Sequence, residues 1–363
     1  MTHTGIYEFG SLSKSHELQI SARVSCANPQ WPRIILQPAT RRLGNLCGQR
    51  TLHLHYARTA RSMSLAFVTL DVFTTDAFRG NPLAVCQVPA AVTISQQQKQ
   101  LIAREFNLSE TVFLHEQTPA DIEAGEARID IFTPFAELPF AGHPTVGTAN
   151  LLQHYLKTST ATALRAKAGL LPFASVSVSG GTGIQLGVAH NVHIHDKPFR
   201  DRPFGDLPVV SIVRGMTFIL ALKQDLAALA EPTEALLGSA KVYGSAHFLD
   251  EGWQVGHIPT YFYVDMGLSE DGKTRLLRTR TWSVREDPAT GSAASALCAY
   301  LSLTERDGGL VRKYHLTQGV EMGRESHIYV EVKLKEGGDA ISEVLLSGSA
   351  VKVIEGRIPI PQA

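Results

Sequence analysis

The sequence predicts an α+β fold made of two similar halves. Each half contains short segments in which apolar residues alternate with polar ones, which is the pattern of a half-buried strand. Each half then passes through a turn containing proline and glycine into a helix that is apolar on almost every side, at 145–156 and again at 292–303. Helices of that composition are buried, and the repetition of the whole plan indicates an internal duplication.

The first half begins at Met63, where an alternating apolar strand starts at once. The turn Arg79-Gly80-Asn81-Pro82 separates two apolar runs, which is a strand-turn-strand signature, and Ser95 is a preferred helix N-cap. We therefore expect strands at 65–73, 83–88, 111–114 and 127–133, and a helix at 96–106.

The second half repeats this plan after the flexible run Ser179-Gly180-Gly181-Thr182-Gly183, which is typical of a domain junction. We therefore predict domains at 63–182 and 183–363. The run does not form a phosphate-binding loop, because it lacks both the Lys-Ser/Thr of a P-loop and the GxGxxG spacing. Further strands are expected at 209–213, 261–266, 328–334 and 343–354.

Residues 1–62 differ from the rest of the chain in charge. They carry eight basic and two acidic side chains, a net charge of +6, so that the other 301 residues of this neutral chain carry −6. An arginine-rich, acid-poor segment is typical of a mitochondrial presequence, although Pro29, Pro32 and Pro38 interrupt any amphipathic helix there. We favour Met63 as the working start, with a cleaved presequence or an ordered extension as the alternatives, and we predict that the segment is disordered.

Composition excludes several classes of protein. With 44% apolar and 19% charged residues the chain is able to bury a core, and no window approaches the roughly 18 apolar residues that a membrane span needs. The acidic body has no basic stripe for nucleic acid. The four cysteines form no CxxC pair, which suggests a reducing compartment. We therefore predict a cytoplasmic protein, or a mitochondrial one if residues 1–62 are a presequence.

Three polar residues are candidates for chemistry: Glu110, His143 and Asp287. Glu110 stands between Leu108 and an apolar strand, where desolvation would raise its pKa towards that of a general acid or base; the alternative is an exposed turn glutamate. His143 and Asp287 each precede a proline at the start of a predicted buried helix, so we place them at or beside the N-caps. Two converging helix N-termini would hold a carboxylate, whereas plain capping is the alternative.

The run His190-Asn191-Val192-His193-Ile194-His195 places His193 and His195 on one face of a strand. Because no third patterned ligand accompanies them, we predict no metal site. Cys86 and Cys298 lie inside apolar segments and are expected to be buried hydrophobic residues.

Four motifs in the same order resemble the PhzF family of phenazine-biosynthesis-like isomerases over nearly all of 63–359. They are Asp71-Val72-Phe73 with Phe78-Arg79-Gly80-Asn81-Pro82-Leu83-Ala84-Val85, Asn107-Leu108-Ser109-Glu110-Thr111, Glu137-Leu138-Pro139-Phe140-Ala141-Gly142-His143-Pro144-Thr145, and Glu286-Asp287-Pro288-Ala289-Thr290-Gly291-Ser292-Ala293. Residues 1–62 have no counterpart in the resemblance.

The resemblance implies a diaminopimelate epimerase-like fold, with two similar domains that each wrap a β-barrel-like sheet around a central helix and share a cleft. It implies a proton-transferring isomerase without cofactor, acting on a small, cyclic or unsaturated carboxylate, and a homodimer. Glu110 matches the acid/base, His143 and Asp287 match its polar partners, and Asn81, Gly142, Gly291 and Ser292 match substrate-binding positions.

One departure is Glu325, which replaces the proline of the family's Gly-Arg-Pro-Ser pattern and puts that segment's contact with the site in doubt. Alternatives to the isomerase are an inactive ligand-binding or interaction protein of the same fold, an amino-acid racemase or epimerase, and a metal-dependent hydrolase using His193 and His195. Related racemases carry one cysteine at each of the turns that here contain Gly142-His143 and Thr290-Gly291, so the resemblance argues against two-thiol racemisation.

Overall fold

The fold is taken from a computed structural model, which describes residues 63–156, 159–178, 181–201, 205–231, 233–242, 246–305 and 309–362. The predictions for residues 1–62, including Cys26 and Cys47, lie outside the described residues.

The described residues form twenty strands, five α-helices and three single turns of other helix types. The strands are β1 (Ser64–Val72), β2 (Asn81–Val88), β3 (Thr111–His115), β4 (Glu126–Phe132), β5 (Glu137–Leu138), β6 (Ala163–Ala166), β7 (Gly169–Val178), β8 (Gly181–Gly187), β9 (His193–Ile194), β10 (Phe199–Asp201), β11 (Gly205–Leu207), β12 (Val209–Val213), β13 (Met216–Leu222), β14 (Thr260–Leu268), β15 (Thr274–Trp282), β16 (Glu286–Asp287), β17 (Val311–Gln318), β18 (Ser326–Leu334), β19 (Ile341–Gly348) and β20 (Ala350–Pro359). The α-helices are α1 (Gln96–Phe106), α2 (Pro119–Ala124), α3 (Gly142–Asn150), α4 (Leu226–Ala230) and α5 (Gly291–Thr304); a π-helical turn covers Leu151–Tyr155, and 3₁₀ turns cover Ser239–Lys241 and Ala246–Phe248.

The strand pairing shows the duplication directly. In the first half the order is β20-β1-β2-β3-β4-β6-β7-β8. The pairs β2–β3 and β4–β6 are parallel, and the other five pairs are antiparallel. In the second half the order is β9-β12-β13-β14-β15-β17-β18-β19. The parallel pairs, β13–β14 and β15–β17, stand at the same two places in the order, and the other five pairs are again antiparallel. The antiparallel pair β8–β19 joins the two halves. The predicted domain boundary at 182/183 falls within β8, and the last strand, β20, returns to the first half.

Each half places one buried helix against its sheet. Helix α3, whose nine residues are all buried, contacts β1, β2, β3, β6, β8, β19 and β20, while α5 contacts β12, β13, β17, β18 and β19. Side chains from both helices belong to one apolar core. Helices α1 and α4 cover separate smaller cores, each lying in the parallel crossover between two strands. The predicted α+β fold of two similar halves around central helices is confirmed.

Three predicted elements were wrong in the ways described next, and the other predicted boundaries agree with the structure to within two residues. The strand expected at 65–73 ends at Val72, because Phe73 has a φ of 66°, in the left-handed region where a strand cannot continue. The segment 343–354 forms two strands, β19 and β20, which pair with different neighbours on either side of Ser349. The helix expected at 145–156 starts three residues earlier and changes to a π-helical turn after Asn150.

Within the parts of the chain that the structure describes, no helix has the length and apolar character that crossing a membrane requires.

Candidate active site

The N-termini of α3 and α5 meet at two glycines. Gly142 and Gly291 are the first residues of the two helices, and a Cβ built on Gly142 would lie 3.2 Å from the Cα of Gly291. Neither helix has a side-chain cap, since Ala141 and Thr290 at the N-cap positions make no capping hydrogen bond. The first backbone N–H groups of a helix have no partner inside it and lie at the positive end of its dipole. The two helix N-termini therefore converge, which is the arrangement that the carboxylate-binding hypothesis requires.

This close approach predicts that Gly142→Ala destabilises the protein. The added methyl group would press on the Cα of Gly291 and on the Leu346 side chain at 3.1 Å, and overpacking of this kind costs about 1–3 kcal/mol. Gly187→Ala is the matched control, because a Cβ there meets no atom within 4 Å, and we expect it to change the stability by less than about 0.5 kcal/mol. Urea unfolding of both variants measures the difference. Equal stabilities for the two variants would contradict the packing described.

Glu110 lies between α1 and β3, three residues after Asn107, the left-handed C-cap residue of α1. Its side chain is only 17% exposed, and its Oε2 is buried without a hydrogen-bond partner among the described residues. Burial, together with the nearby charge of Asp287, raises the pKa of Glu110 to about 8. A hydrogen bond from Ser109 and the charge of Arg285 act in the opposite direction and lower this pKa. The buried interpretation of Glu110 thus holds, and the exposed-turn alternative does not.

His143 is the second residue of α3 and is 4% exposed. Its Nδ1 lies 3.2 Å from Glu110 Oε2, and the ring is held by a hydrogen bond to the backbone of Pro82. Proline has no backbone N–H, so the imidazole donates this bond to the carbonyl. Its Nε2 has no partner within the described chain, so it is left as an acceptor. Burial lowers the pKa of His143 to about 3, which keeps the ring neutral.

The predicted N-cap positions of His143 and Asp287 were wrong. The N-cap of α3 is Ala141, and Pro144 is the third helical residue, which is tolerated because the first four N–H groups of a helix need no internal acceptor. Asp287 lies on β16, and Thr290 takes the N-cap of α5.

Asp287 is held by side chains from both halves. Its Oδ1 accepts a hydrogen bond from Asn81 Nδ2 at 2.9 Å, and its Oδ2 accepts one from the Thr290 hydroxyl at 2.5 Å. Burial raises the pKa of Asp287 to about 6, and the hydrogen bonds from Thr290 and Asn81 partly oppose this increase. Two carboxyl groups with raised pKa values therefore share one buried region, which is a common feature of acid–base sites.

Asn81 links the two carboxyl groups. It is fully buried, it donates to Asp287 Oδ1 and to the Ala289 carbonyl at 2.8 Å, and its Oδ1 accepts a hydrogen bond from Ser109 Oγ at 3.1 Å. Because Ser109 directly precedes Glu110, this chain of hydrogen bonds fixes the position of Glu110 relative to Asp287 across the two halves.

Sequence reasoning missed two residues of this region. Arg285, in the turn between β15 and β16, donates from Nη2 to the Asn107 carbonyl at 3.4 Å, and its charge lowers the pKa of both Glu110 and Asp287. Gln318, at the end of β17, is fully buried and donates to the Asp287 carbonyl at 2.8 Å. Nothing in the sequence marked Gln318, whereas the position of Arg285 two residues before Asp287 was an available signal.

The segment that contains Glu325, the residue that replaces the expected proline, contacts the turn at Arg79 and Gly80, which leads to Asn81. Arg324 donates from Nε to the Gly80 carbonyl at 3.0 Å and from Nη2 to Asp71 Oδ1 at 2.6 Å. Glu325 pairs with Arg79 at 2.8 Å, and its backbone carbonyl accepts the Gly80 N–H at 3.0 Å. The replacement of proline therefore leaves this segment attached to the turn.

Other predicted residues lie as follows. Ser292 is the second residue of α5 and is 6% exposed. Cys86 and Cys298 are buried free thiols, as predicted, and burial raises the pKa of each. His193 and His195 meet a third side chain, Asp250, that the sequence pattern did not indicate.

Comparison with known proteins agrees with this description. The sequence profile of the phenazine biosynthesis-like protein family, PhzC-PhzF, matches residues 70–194 and 257–356. The trans-2,3-dihydro-3-hydroxyanthranilate isomerase of Pseudomonas aeruginosa is 30% identical over 302 residues, which cover 80% of this chain and 98% of that protein.

Among solved structures, a phenazine biosynthesis protein of the PhzF family from Bacillus anthracis has a TM-score of 0.65 at 21% identity, covering 82% of this chain and 99% of that one. A hydroxyproline epimerase from Agrobacterium vitis has a TM-score of 0.55 at 15% identity, covering 81% of this chain and 91% of that one. These two likenesses concern the fold.

The two repeated halves around central helices have an epimerase-like fold, and the similarity to the Pseudomonas aeruginosa isomerase places the protein in the isomerase class. The chain belongs to the phenazine biosynthesis-like (PhzC-PhzF) family.

Proposed function

We propose that this isomerase moves a proton between carbon atoms of a small, cyclic or unsaturated carboxylate, with Glu110 as the acid and base and with no cofactor. The observation that carries the proposal is the buried Glu110 carboxyl group, whose Oε2 has no hydrogen-bond partner among the described residues and whose pKa is raised to about 8. A group with a pKa near neutrality both accepts and donates a proton at physiological pH.

The reaction needs one such group. The Glu110 carboxylate would take a proton from a carbon that is activated by conjugation with the substrate carboxylate, and the electron pair of the C–H bond would move into the conjugated system. The Glu110 carboxylic acid would then return the proton to another carbon of that system, so that the product is an isomer and the enzyme is restored. The groups that stabilise the negative charge in between must be fixed donors.

The helix N-termini supply those donors. The uncapped N–H groups of α3 and α5 converge at Gly142 and Gly291, where they would hold the substrate carboxylate. The free Nε2 of His143 would accept a hydrogen bond from a substrate hydroxyl or amino group. We assign Asn81 to positioning, because its amide is already occupied by Asp287, Ala289 and Ser109.

Local groups must provide the attraction for the substrate. The body of the chain carries a net charge of −6, so its overall field does not draw in an anion. Arg285 is exposed at the edge of this region, and its charge acts on both buried carboxyl groups. We assign it to substrate attraction.

This assignment predicts that Arg285→Gln lowers kcat/KM about tenfold, since an exposed charge contributes on the order of 1 kcal/mol. The pKa of Glu110 should also move upwards, because Arg285 lowers it, and the pH profile of kcat/KM measures that shift. Arg104→Gln, at another exposed arginine on the last turn of α1, is the matched control and should leave both quantities unchanged. Equal effects of the two variants would remove Arg285 from substrate binding.

The function is tested with a thermal-shift screen of small carboxylates followed by turnover assays. The name of the Pseudomonas aeruginosa relative makes trans-2,3-dihydro-3-hydroxyanthranilate the first compound to test. Turnover to an isomer supports the proposal. A carboxylate that stabilises the protein but is never converted would instead indicate the inactive ligand-binding alternative. The homodimer and the cytoplasmic location stay predictions.

A further inference from the structure

A second cluster of polar side chains lies apart from the residues assigned to proton transfer. It consists of His193 on β9, His195 just after it, and Asp250 after the 3₁₀ turn Ala246–Phe248. His193 Nε2 lies 2.8 Å and His195 Nδ1 lies 3.5 Å from Asp250 Oδ2, and all three atoms fall within 4.8 Å of one another. We propose that these residues form a Zn²⁺ site with three protein ligands, which ties β9 to the turn containing Asp250.

The spacing of the ligand atoms fits zinc. With Zn–N and Zn–O distances of about 2.0–2.1 Å, neighbouring ligands of a tetrahedral ion lie about 3.3 Å apart, close to the 2.8 Å and 3.5 Å observed. Two imidazoles and one carboxylate are also a ligand set that suits Zn²⁺. Small movements of the side chains would bring all three atoms to coordination distance.

The histidine rings are held by outer contacts of the kind that surround metal ligands. His195 Nε2 lies 2.9 Å from Ser211 Oγ, and that hydroxyl lies 2.6 Å from Thr217 Oγ1. A hydrogen bond from Nε2 to Ser211 leaves the Nδ1 lone pair directed towards Asp250, which is the tautomer that coordination requires. The His193 ring stacks on Trp253, with ring centres 4.6 Å apart and planes at 8°.

Two features show how an ion would enter and what it would displace. The His195 side chain is 1% exposed, but His193 is 32% and Asp250 is 18% exposed, so one side of the cluster faces solvent and leaves a fourth position for water. The His195 Nδ1 accepts the Asp250 backbone N–H at 3.2 Å. This is a long hydrogen bond that the ion would replace, and the ion would also replace the contact between His193 Nε2 and Asp250 Oδ2.

The test uses the full chain without a histidine tag, stripped with a chelator and titrated with ZnCl₂ by calorimetry and by thermal unfolding. We expect one Zn²⁺ per chain and a rise in Tm, both lost in Asp250→Asn and in His193→Gln. His190→Gln is the matched control, because His190 lies in the same segment but its Nδ1 contacts the Val188 carbonyl. This control should bind zinc like the unaltered chain.

A fourth variant distinguishes coordination from unspecific binding. Ser211→Ala removes the outer contact of His195 without removing a ligand, and we expect zinc affinity to fall by about 10–100-fold. Failure of the unaltered chain to bind zinc at micromolar concentration would overturn the proposal. So would zinc binding that persists in both Asp250→Asn and His193→Gln, since the ion would then lie elsewhere in the chain. Neither result bears on the isomerase function.

Discussion

Glu110→Gln is expected to lower the turnover number by about 10²–10⁴-fold, the contribution that general acid–base catalysis makes. Glutamine keeps the size and the polar character of the side chain but neither takes nor returns a proton. Substrate binding should be nearly unchanged, because the anion is assigned to the N-termini of α3 and α5 and to Arg285. Initial rates and ligand-induced thermal shifts of the two proteins measure these quantities separately.

Glu105→Gln provides the matched control, because Glu105 is an exposed carboxylate on the preceding helix, α1. It should retain full turnover. A Glu110→Gln protein with the turnover of the unaltered chain would show that another group moves the proton.

The same variant should change how stability depends on pH. The pKa of Glu110 is about 8 in the folded protein against an ordinary value of 4.5, so the folded state holds a proton that the unfolded state releases in this interval. The stabilisation of the folded state by this proton is therefore fully present below pH 4.5, and it is lost as the pH rises towards 8. Relative to Glu110→Gln, the unaltered chain should lose about 3–5 kcal/mol of unfolding free energy over this range.

Urea unfolding of both proteins at pH 5, 7 and 9 measures this difference. Asp287 also titrates near this range, with a pKa raised to about 6. Because Asp287 is present in both proteins, its own effect on the unfolding free energy cancels in the difference, and only its repulsion of Glu110 remains. The difference should be small at pH 5 and largest at pH 9. Parallel pH profiles for the two proteins would show that Glu110 is not desolvated in the folded state.

The sequence predicted the fold well because its strongest signals were local. The alternation of strand residues and the two apolar helices are visible in short windows, and both central helices are present as α3 and α5. The order of pairing was not visible, because the parallel pairs β2–β3 and β13–β14 and the return of β20 to β1 join segments that are distant in the chain.

The candidate site was predictable at positions where a polar residue stands among apolar neighbours in the sequence. Glu110 and His143 are polar residues inside apolar surroundings, and both proved to be buried in contact with each other. Gln318 and Asp250 were not predictable, because each meets its partner only after the chain has folded back: Gln318 contacts Asp287 from β17, and Asp250 reaches His193 from a later turn. The starts of the two buried helices were misplaced by three residues at α3 and by one residue at α5. At α3 the reason is that a proline is accepted at any of the first helical positions.

The most direct test of the acid–base role of Glu110 is the fate of a single proton. The carboxylate that the protein converts is incubated in D₂O with the unaltered chain or with Glu110→Gln, and the substrate and product are examined by proton NMR and mass spectrometry. If Glu110 takes a proton and exchanges it with solvent before returning it, deuterium enters the carbon skeleton with the unaltered chain and does not enter with Glu110→Gln, although that variant still binds the ligand. Deuterium incorporation by Glu110→Gln at the rate of the unaltered chain would contradict the assignment of Glu110.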